Sequence, residues 1–192
     1  MQSSIVKESV LTRAAYNWLT RPPVSGPAAT VLLRCMAGGV FLSEGILKFV
    51  YPNQGVGRFT KLGFPFPEAT ATFVGGLEIV GGCLLIAGLL SRLIAIPFII
   101  EMLVAILTTK ISLYLGTSPL PLPPALPKIG FWAVMHETRS DYAQLLTVAF
   151  LLVAGPGKWS LDALLQRRSG VRRRSSVSKH LTLAEQAESQ SA

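Results

Sequence analysis

The chain has 192 residues, half of them hydrophobic and only 15% charged, with a mean hydropathy of +0.48. A water-soluble domain of this length carries about a quarter charged residues, so the composition excludes an ordinary soluble enzyme or binding module. The net charge is +8, but seven of the 18 basic residues lie after Gly157, so the excess belongs to a tail and not to a nucleic-acid-binding domain. Beside a membrane, such a tail is expected to meet anionic lipid.

The first 27 residues precede the first apolar run. Ile5, Val6, Val10, Leu11, Ala14, Ala15, Trp18 and Leu19 fall on one helical face, which predicts an amphipathic helix lying on the inner membrane surface. Lys7, Glu8 and Arg13 interrupt the segment, and it has no apolar core of signal-peptide length. Pro22, Pro23, Gly26 and Pro27 then separate it from the first run.

Four spans are expected, at residues 28–50, 70–90, 93–115 and 138–156. A spanning helix needs about 20 residues at 1.5 Å rise each. The first three runs meet that length, whereas the fourth is purely apolar only from Tyr142 to Ala154 and must take in Arg139 and Asp141. The runs are continuous and do not alternate, which favours helices over a barrel. The sequence Gly-Phe-Pro-Phe-Pro at Gly63–Pro67 cannot be a helix interior. A tight turn at Ser91-Arg92 predicts that spans two and three are antiparallel neighbours. Five prolines between Ser118 and Pro127 predict an extended loop.

With the N-terminus inside, 11 Lys and Arg residues lie on the inner side, against Arg58, Lys61, Lys128 and Arg139 outside, with Lys110 at the boundary. This bias predicts both termini in the cytoplasm. The expected fold is thus an all-α, integral membrane four-helix bundle over residues 28–165 in the cytoplasmic (inner or plasma) membrane. A basic cytoplasmic tail, predicted to be unstructured, follows at 166–192.

Any chemistry should reside in charged residues within the spans, because charge at the bilayer centre is costly and turns inward. These are Arg34, Glu44, Lys48, Glu78 and Glu101. Counted by helical rise from the inner end, Arg34 lies at about 9 Å, Glu101 at about 14 Å, Glu78 at about 18 Å, Glu44 at about 24 Å and Lys48 at about 30 Å. These depths suggest Arg34 with Glu101, and Glu44 with Lys48 at i, i+4. Glu78 is left without a cation, which would raise its pKa and make it the first candidate for binding a proton or ligand. The competing reading of all five is polar glue between helices.

Cys35 and Cys83 sit at similar depths without a Cys-x-x-Cys spacing, and the favoured reading is two small buried residues. His136 and His180 have no partner at metal-ligand spacing, so no metal is expected. Gly75-Gly76 and Gly81-Gly82 lie inside a span and point to close helix packing, not to a nucleotide loop.

Several segments in order resemble the DoxX family over about residues 30–165. They are Arg34, Glu44-Gly45-Ile46-Leu47-Lys48-Phe49, Leu62–Pro67, Gly75–Gly82, Gly88-Leu89-Leu90-Ser91-Arg92, Asp141-Tyr142 and Gly155–Asp162. The proline-rich third loop and the basic tail depart from the family pattern. The resemblance implies a four-helix membrane bundle. It also implies a membrane subunit of a quinone-linked oxidoreductase, among them sulfur oxidation and oxidative-stress complexes. No flavin, haem or iron–sulfur pattern is visible, and redox chemistry needs an electron carrier. No cofactor is evident in the residues themselves; the resemblance implies quinone, and the expected partners are lipids and either a partner protein or a second copy. A small proton-coupled transporter and a non-catalytic scaffold that recruits a partner are the competing readings, and catalytic residues are not assignable from the sequence.

Overall fold

The structure is a computed structural model describing residues 12–124 and 127–168. The expectations for the first 11 residues and for the tail beyond Arg168 lie outside the described residues. Among the described residues there are helices and turns and no strand. In chain order these are α1 (residues 12–20), α2 (Thr30–Val50), α3 (Val56–Lys61), α4 (Pro67–Ala87) and α5 (Ser91–Ala105). A π-helical turn, Ile106–Lys110, joins α5 to α6 (Ile111–Leu115); α7 (Phe131–Ala154) and α8 (residues 161–168) complete the chain.

Three stretches are long and apolar enough to cross a membrane: Thr30–Val50, Pro67–Ala87 and Ser91–Leu115. The fourth expected span is a helix of 24 residues, but it starts at Phe131, seven residues before the expected Thr138. It thereby takes in Glu137 in addition to Arg139 and Asp141, and Gly130 at φ 90° sets its start. The second span runs from Pro67 to Ala87 and not from 70 to 90, because Pro67 fits the first helical turn and Gly88 ends the helix at φ 68°. The expected Ser91-Arg92 turn is in fact Gly88–Leu90, with Ser91 the first residue of α5. Gln166, Arg167 and Arg168, assigned to the tail, belong to α8.

The ends of α2, α4, α5 and α7 near residues 30, 87, 91 and 154, with α1 and α8, form what we call the proximal end. The ends near 50, 67, 115 and 131 form the distal end. α2 packs chiefly on α4, and α5 on α7. The hairpin partners α4 and α5 touch less extensively.

Glycine makes the α2–α4 contact. A Cβ on Gly38 would stand 2.6 Å from the Gly82 carbonyl oxygen, and one on Gly45 would stand 2.8 Å from that of Gly75. Small residues let membrane helices meet backbone to backbone. Between the helix pairs lies a core of Phe41, Leu85, Phe98, Val148 and Leu151, in which Phe41 of α2 stacks on Phe98 of α5 at 3.7 Å. Cys35 and Cys83, expected to be buried, are both exposed and free.

The proximal end is closed by polar staples. Arg34, 1% exposed, donates from its guanidinium to the carbonyl of Trp159, and a Cβ on Gly88 would strike that guanidinium. Asp162 accepts from the amides of Leu90 (3.1 Å) and Ser91 (3.5 Å), while its own amide donates to Gly88 O. This caps α5 from a distant segment and holds Leu90 at φ 53°, a left-handed conformation that a leucine adopts only when its neighbours impose it. Arg92 donates to the carbonyls of Trp18 (3.0 Å) and Val153 (2.7 Å) and lies 4.3 Å above the Trp18 ring, which fastens α1 to the helices.

Candidate functional site

Toward the distal half, the α2–α4 pair and the α5–α7 pair enclose a cavity of about 670 Å³. That size suits a small organic ligand. α2 contributes Phe41, Glu44 and Lys48 to its wall, α4 Leu77 and Glu78, α5 Pro97 and Glu101, and α7 Asp141 and Gln144. Pro97 has no amide to donate to the preceding turn, so α5 is weakened where it faces the cavity. In the π turn beyond it, Thr109 Oγ1 donates to Ala105 O at 2.6 Å and Thr108 Oγ1 to Val104 O at 2.8 Å. These hydroxyls turn back onto the helix's own carbonyls, as Ser and Thr do within membrane helices.

The pairing differs from that expected. Lys48 Nζ donates to Glu78 Oε1 at 2.8 Å and stands 2.6 Å from Oε2. Glu78, expected to lack a cation, takes the lysine expected for Glu44. Its side chain is 3% exposed and that of Lys48 12%, so the pair is buried. Glu101 lines the same wall, within electrostatic reach of Glu78, Lys48 and Glu44. Lys48, Glu78 and Glu101 thus form one cluster of a cation and two carboxyl groups, in which Lys48 pairs with Glu78.

Of the five residues singled out in the sequence, four line the cavity. Glu44 is exposed at its edge instead of being buried in an i, i+4 pair. Arg34 stands apart in the proximal staple, bonded to Trp159 O with Asp162 in electrostatic reach, and does not meet Glu101. That bond ties α2 to the segment before α8.

Sequence reasoning missed Gln144, Asp141, Arg58, Thr108 and Thr109, all on the cavity wall. Gln144 is 5% exposed and its Oε1 has no hydrogen-bond partner; the same holds for Glu101 Oε2. Asp141 pairs with Lys110 at 3.4 Å. Asp141-Tyr142 was among the segments carrying the family resemblance, and that was the available signal.

Among the described residues no group of three or more His, Cys, Asp or Glu could hold a metal ion.

Comparison with known proteins bears on this site directly. The DoxX family profile matches residues 29–111, which include Glu44, Lys48, Glu78 and Glu101. An uncharacterized membrane protein of Mycobacterium tuberculosis, Rv3486, is 41% identical over 162 residues, covering 81% of this chain and 93% of the relative. A protein of Bacillus subtilis named "Putative oxidoreductase CatD" is 30% identical over 133 residues, covering 69% of this chain and 84% of that one. No solved structure matches.

Proposed function

The chain belongs to the DoxX family of membrane proteins, and from that premise we propose that it is the quinone-interacting membrane subunit of an oxidoreductase complex. The observation that carries the reading is the buried Lys48–Glu78–Glu101 unit in the wall of a cavity otherwise lined largely by apolar side chains. The name of the relative CatD adds the oxidoreductase class.

The donor set fits a quinone and its reduced form. A quinone carbonyl only accepts, and the Lys48 ammonium is a donor beside the cavity. A quinol hydroxyl donates, and Glu101 Oε2 and Gln144 Oε1 are buried acceptors without a donor. Such a ligand supplies two-electron chemistry coupled to two protons when bound. The chain's own residues orient it, exclude water with apolar walls and offer the Glu78 and Glu101 carboxyl groups as proton acceptors. A redox reaction needs an electron carrier, so in this reading electrons pass to or from a partner protein.

Four spans with both termini in the cytoplasm complete the proposal. α7 spans about 36 Å at 1.5 Å per residue, enough to cross, and both described terminal segments meet at the proximal end. The bias of Lys and Arg toward that end supports a cytoplasmic assignment. A transport path finds less support, because Arg34, Pro156 and Asp162 fill the proximal end.

Purification from the native membrane in mild detergent, followed by solvent extraction, tests the function. The expected result is a lipophilic quinone and a redox partner in the preparation. A short-chain quinol should also raise the melting temperature of the wild-type protein, and not that of Lys48→Met. A preparation free of quinone that does not respond to the quinol would overturn the reading.

A further inference from the structure

The chamber opens in two directions of opposite character. Val40, Phe73, Ile100 and Val104 line it and are at the same time 36%, 70%, 57% and 39% exposed. They lie on α2, α4 and α5, within the apolar stretches, so this mouth faces lipid tails. Toward the distal end a second cavity, of about 380 Å³, shares Gln54, Arg58 and Thr109 with the chamber. Its remaining walls set the polar side chains of Asn53, Lys61, Lys110 and Glu137 against Leu113 and residues 120–124 of the proline-rich loop. Asn53 and Lys61 are exposed, so this vestibule is the wet side.

One ion pair stands between the two cavities. Lys110 lines the vestibule, Asp141 lines the chamber, and Nζ and Oδ2 are 3.4 Å apart. Lys110 is the last residue of the π turn. One residue more per turn rotates the residues beyond it by about 100° relative to a straight α-helix, and so the turn sets where Lys110 points. Behind the pair, Thr108, Thr109 and Gln144 continue the polar wall toward Glu101. The unpartnered Gln144 Oε1 and Glu101 Oε2 are acceptors of the kind that bridging water satisfies.

We propose that the Lys110–Asp141 pair is the partition through which the Glu78 and Glu101 carboxyl groups exchange protons with water, while the ligand comes and goes through the lipid-facing mouth. The apolar lips of that mouth give a hydrated proton no hydrogen-bonding path, whereas the wall behind Lys110 does. The other charged groups around the partition are Arg58 and Lys61 on α3 and Glu137 on α7. The consequence is vectorial: protons taken up or released at the chamber belong to the distal face of the membrane alone. The ligand class rests on the proposed function, but the two routes do not, and neither does their test.

In a Cys35→Ser, Cys83→Ser background, single cysteines are placed at Gln144, Thr108, Ile100 and, as a marker of the vestibule face, Lys61. Sealed vesicles of known orientation are treated with a charged, membrane-impermeant thiol reagent from each face. Gln144→Cys and Thr108→Cys should react only from the Lys61 face, slowly with the pair intact, and at least tenfold faster once Lys110→Ala or Asp141→Asn breaks it. Ile100→Cys should react with a lipid-soluble maleimide and with the charged reagent from neither face. Reaction of Gln144→Cys or Thr108→Cys from the opposite face, rates indifferent to both pair-breaking variants, or charged labelling of Ile100→Cys would each overturn the proposal.

Discussion

Substituting Gly82 by alanine tests the helix contact on which the site depends. The new Cβ would stand 2.7 Å from Gly38 O and 2.8 Å from Leu42 N. Ordinary van der Waals contact begins at 3.4 Å, so α2 and α4 must part by about 0.7 Å. Both obstacles are backbone, so no side chain can turn aside to absorb the change. Overpacking of this kind costs about 1–3 kcal/mol. Lys48–Glu78, at 2.6 Å, bridges the same two helices, so the substitution should also loosen the site. Gly45→Ala should act likewise, since its Cβ would meet Gly75 O at 2.8 Å and Glu78 Cβ at 2.9 Å. Gly39 and Gly76 are the controls, each next in sequence to a packed glycine and with nothing within 4 Å. Alanine there gains up to about 1 kcal/mol of helix propensity. Unfolding of detergent-solubilised protein, followed by helical circular dichroism against added SDS, should rank Gly39→Ala and Gly76→Ala at or above wild type and Gly82→Ala and Gly45→Ala clearly below it. Equal losses at Gly39 and Gly82 would refute the backbone-to-backbone contact.

Three further outcomes are expected. Lys48→Met should destabilise by about 3–5 kcal/mol, because it strands a buried carboxylate, and Lys48→Met with Glu78→Gln should recover much of that loss in the same unfolding assay; additive losses would show that the pair does not interact. Arg92→Ala removes two charge-assisted hydrogen bonds and the contact with the Trp18 ring, a loss of about 2 kcal/mol. It should red-shift Trp18 fluorescence in a Trp132→Phe, Trp159→Phe background, and an unshifted spectrum would count against the docking of α1. Burial raises the Asp162 pKa, while the Leu90 and Ser91 amides and Arg34 pull it down. A raised folded-state value means that the protonated form is favoured in the fold. Its contribution to stability is thus present below the unfolded value and lost as pH rises through the folded one. Asp162→Asn, which keeps a capping oxygen, should remove this part of the dependence. The melting-temperature difference between variant and wild type should therefore move in the variant's favour as pH rises from below 3.8 toward neutrality.

The three long apolar helices were legible because apolar runs and their glycine and proline boundaries are local properties of the chain. Partner choice was not, and the reason is measurable. Depths counted from span ends assumed that α2 and α4 start in one plane, which sets residue 28 level with residue 90. The contacts of Gly38 with Gly82 and Ile86, and of Gly45 with Gly75 and Glu78, put α4 about one turn, ~6 Å, further toward the distal end. With that correction Glu78 is level with Glu44, one turn below Lys48, and a lysine side chain closes the gap. The same shift brings Gly88 level with Arg34, where a glycine alone leaves room for the guanidinium. The acceptor of Arg34 lies 125 residues away, in a segment with no apolar period to draw attention to it. The family resemblance had joined Arg34, Gly88–Arg92 and Gly155–Asp162 in one pattern without giving a reason. The reason is that these segments make one staple, and the staple holds closed the end of the helices opposite the chamber. With the proximal end held shut, the two helix pairs enclose the chamber in the distal half, and there Pro97, the π turn and the unpartnered Gln144 and Glu101 oxygens depart from regular helix packing. A helix bundle that needed only stability would fill such a gap with leucine. Keeping two carboxyl groups and a lysine there costs stability, and that cost is the physical argument for a ligand.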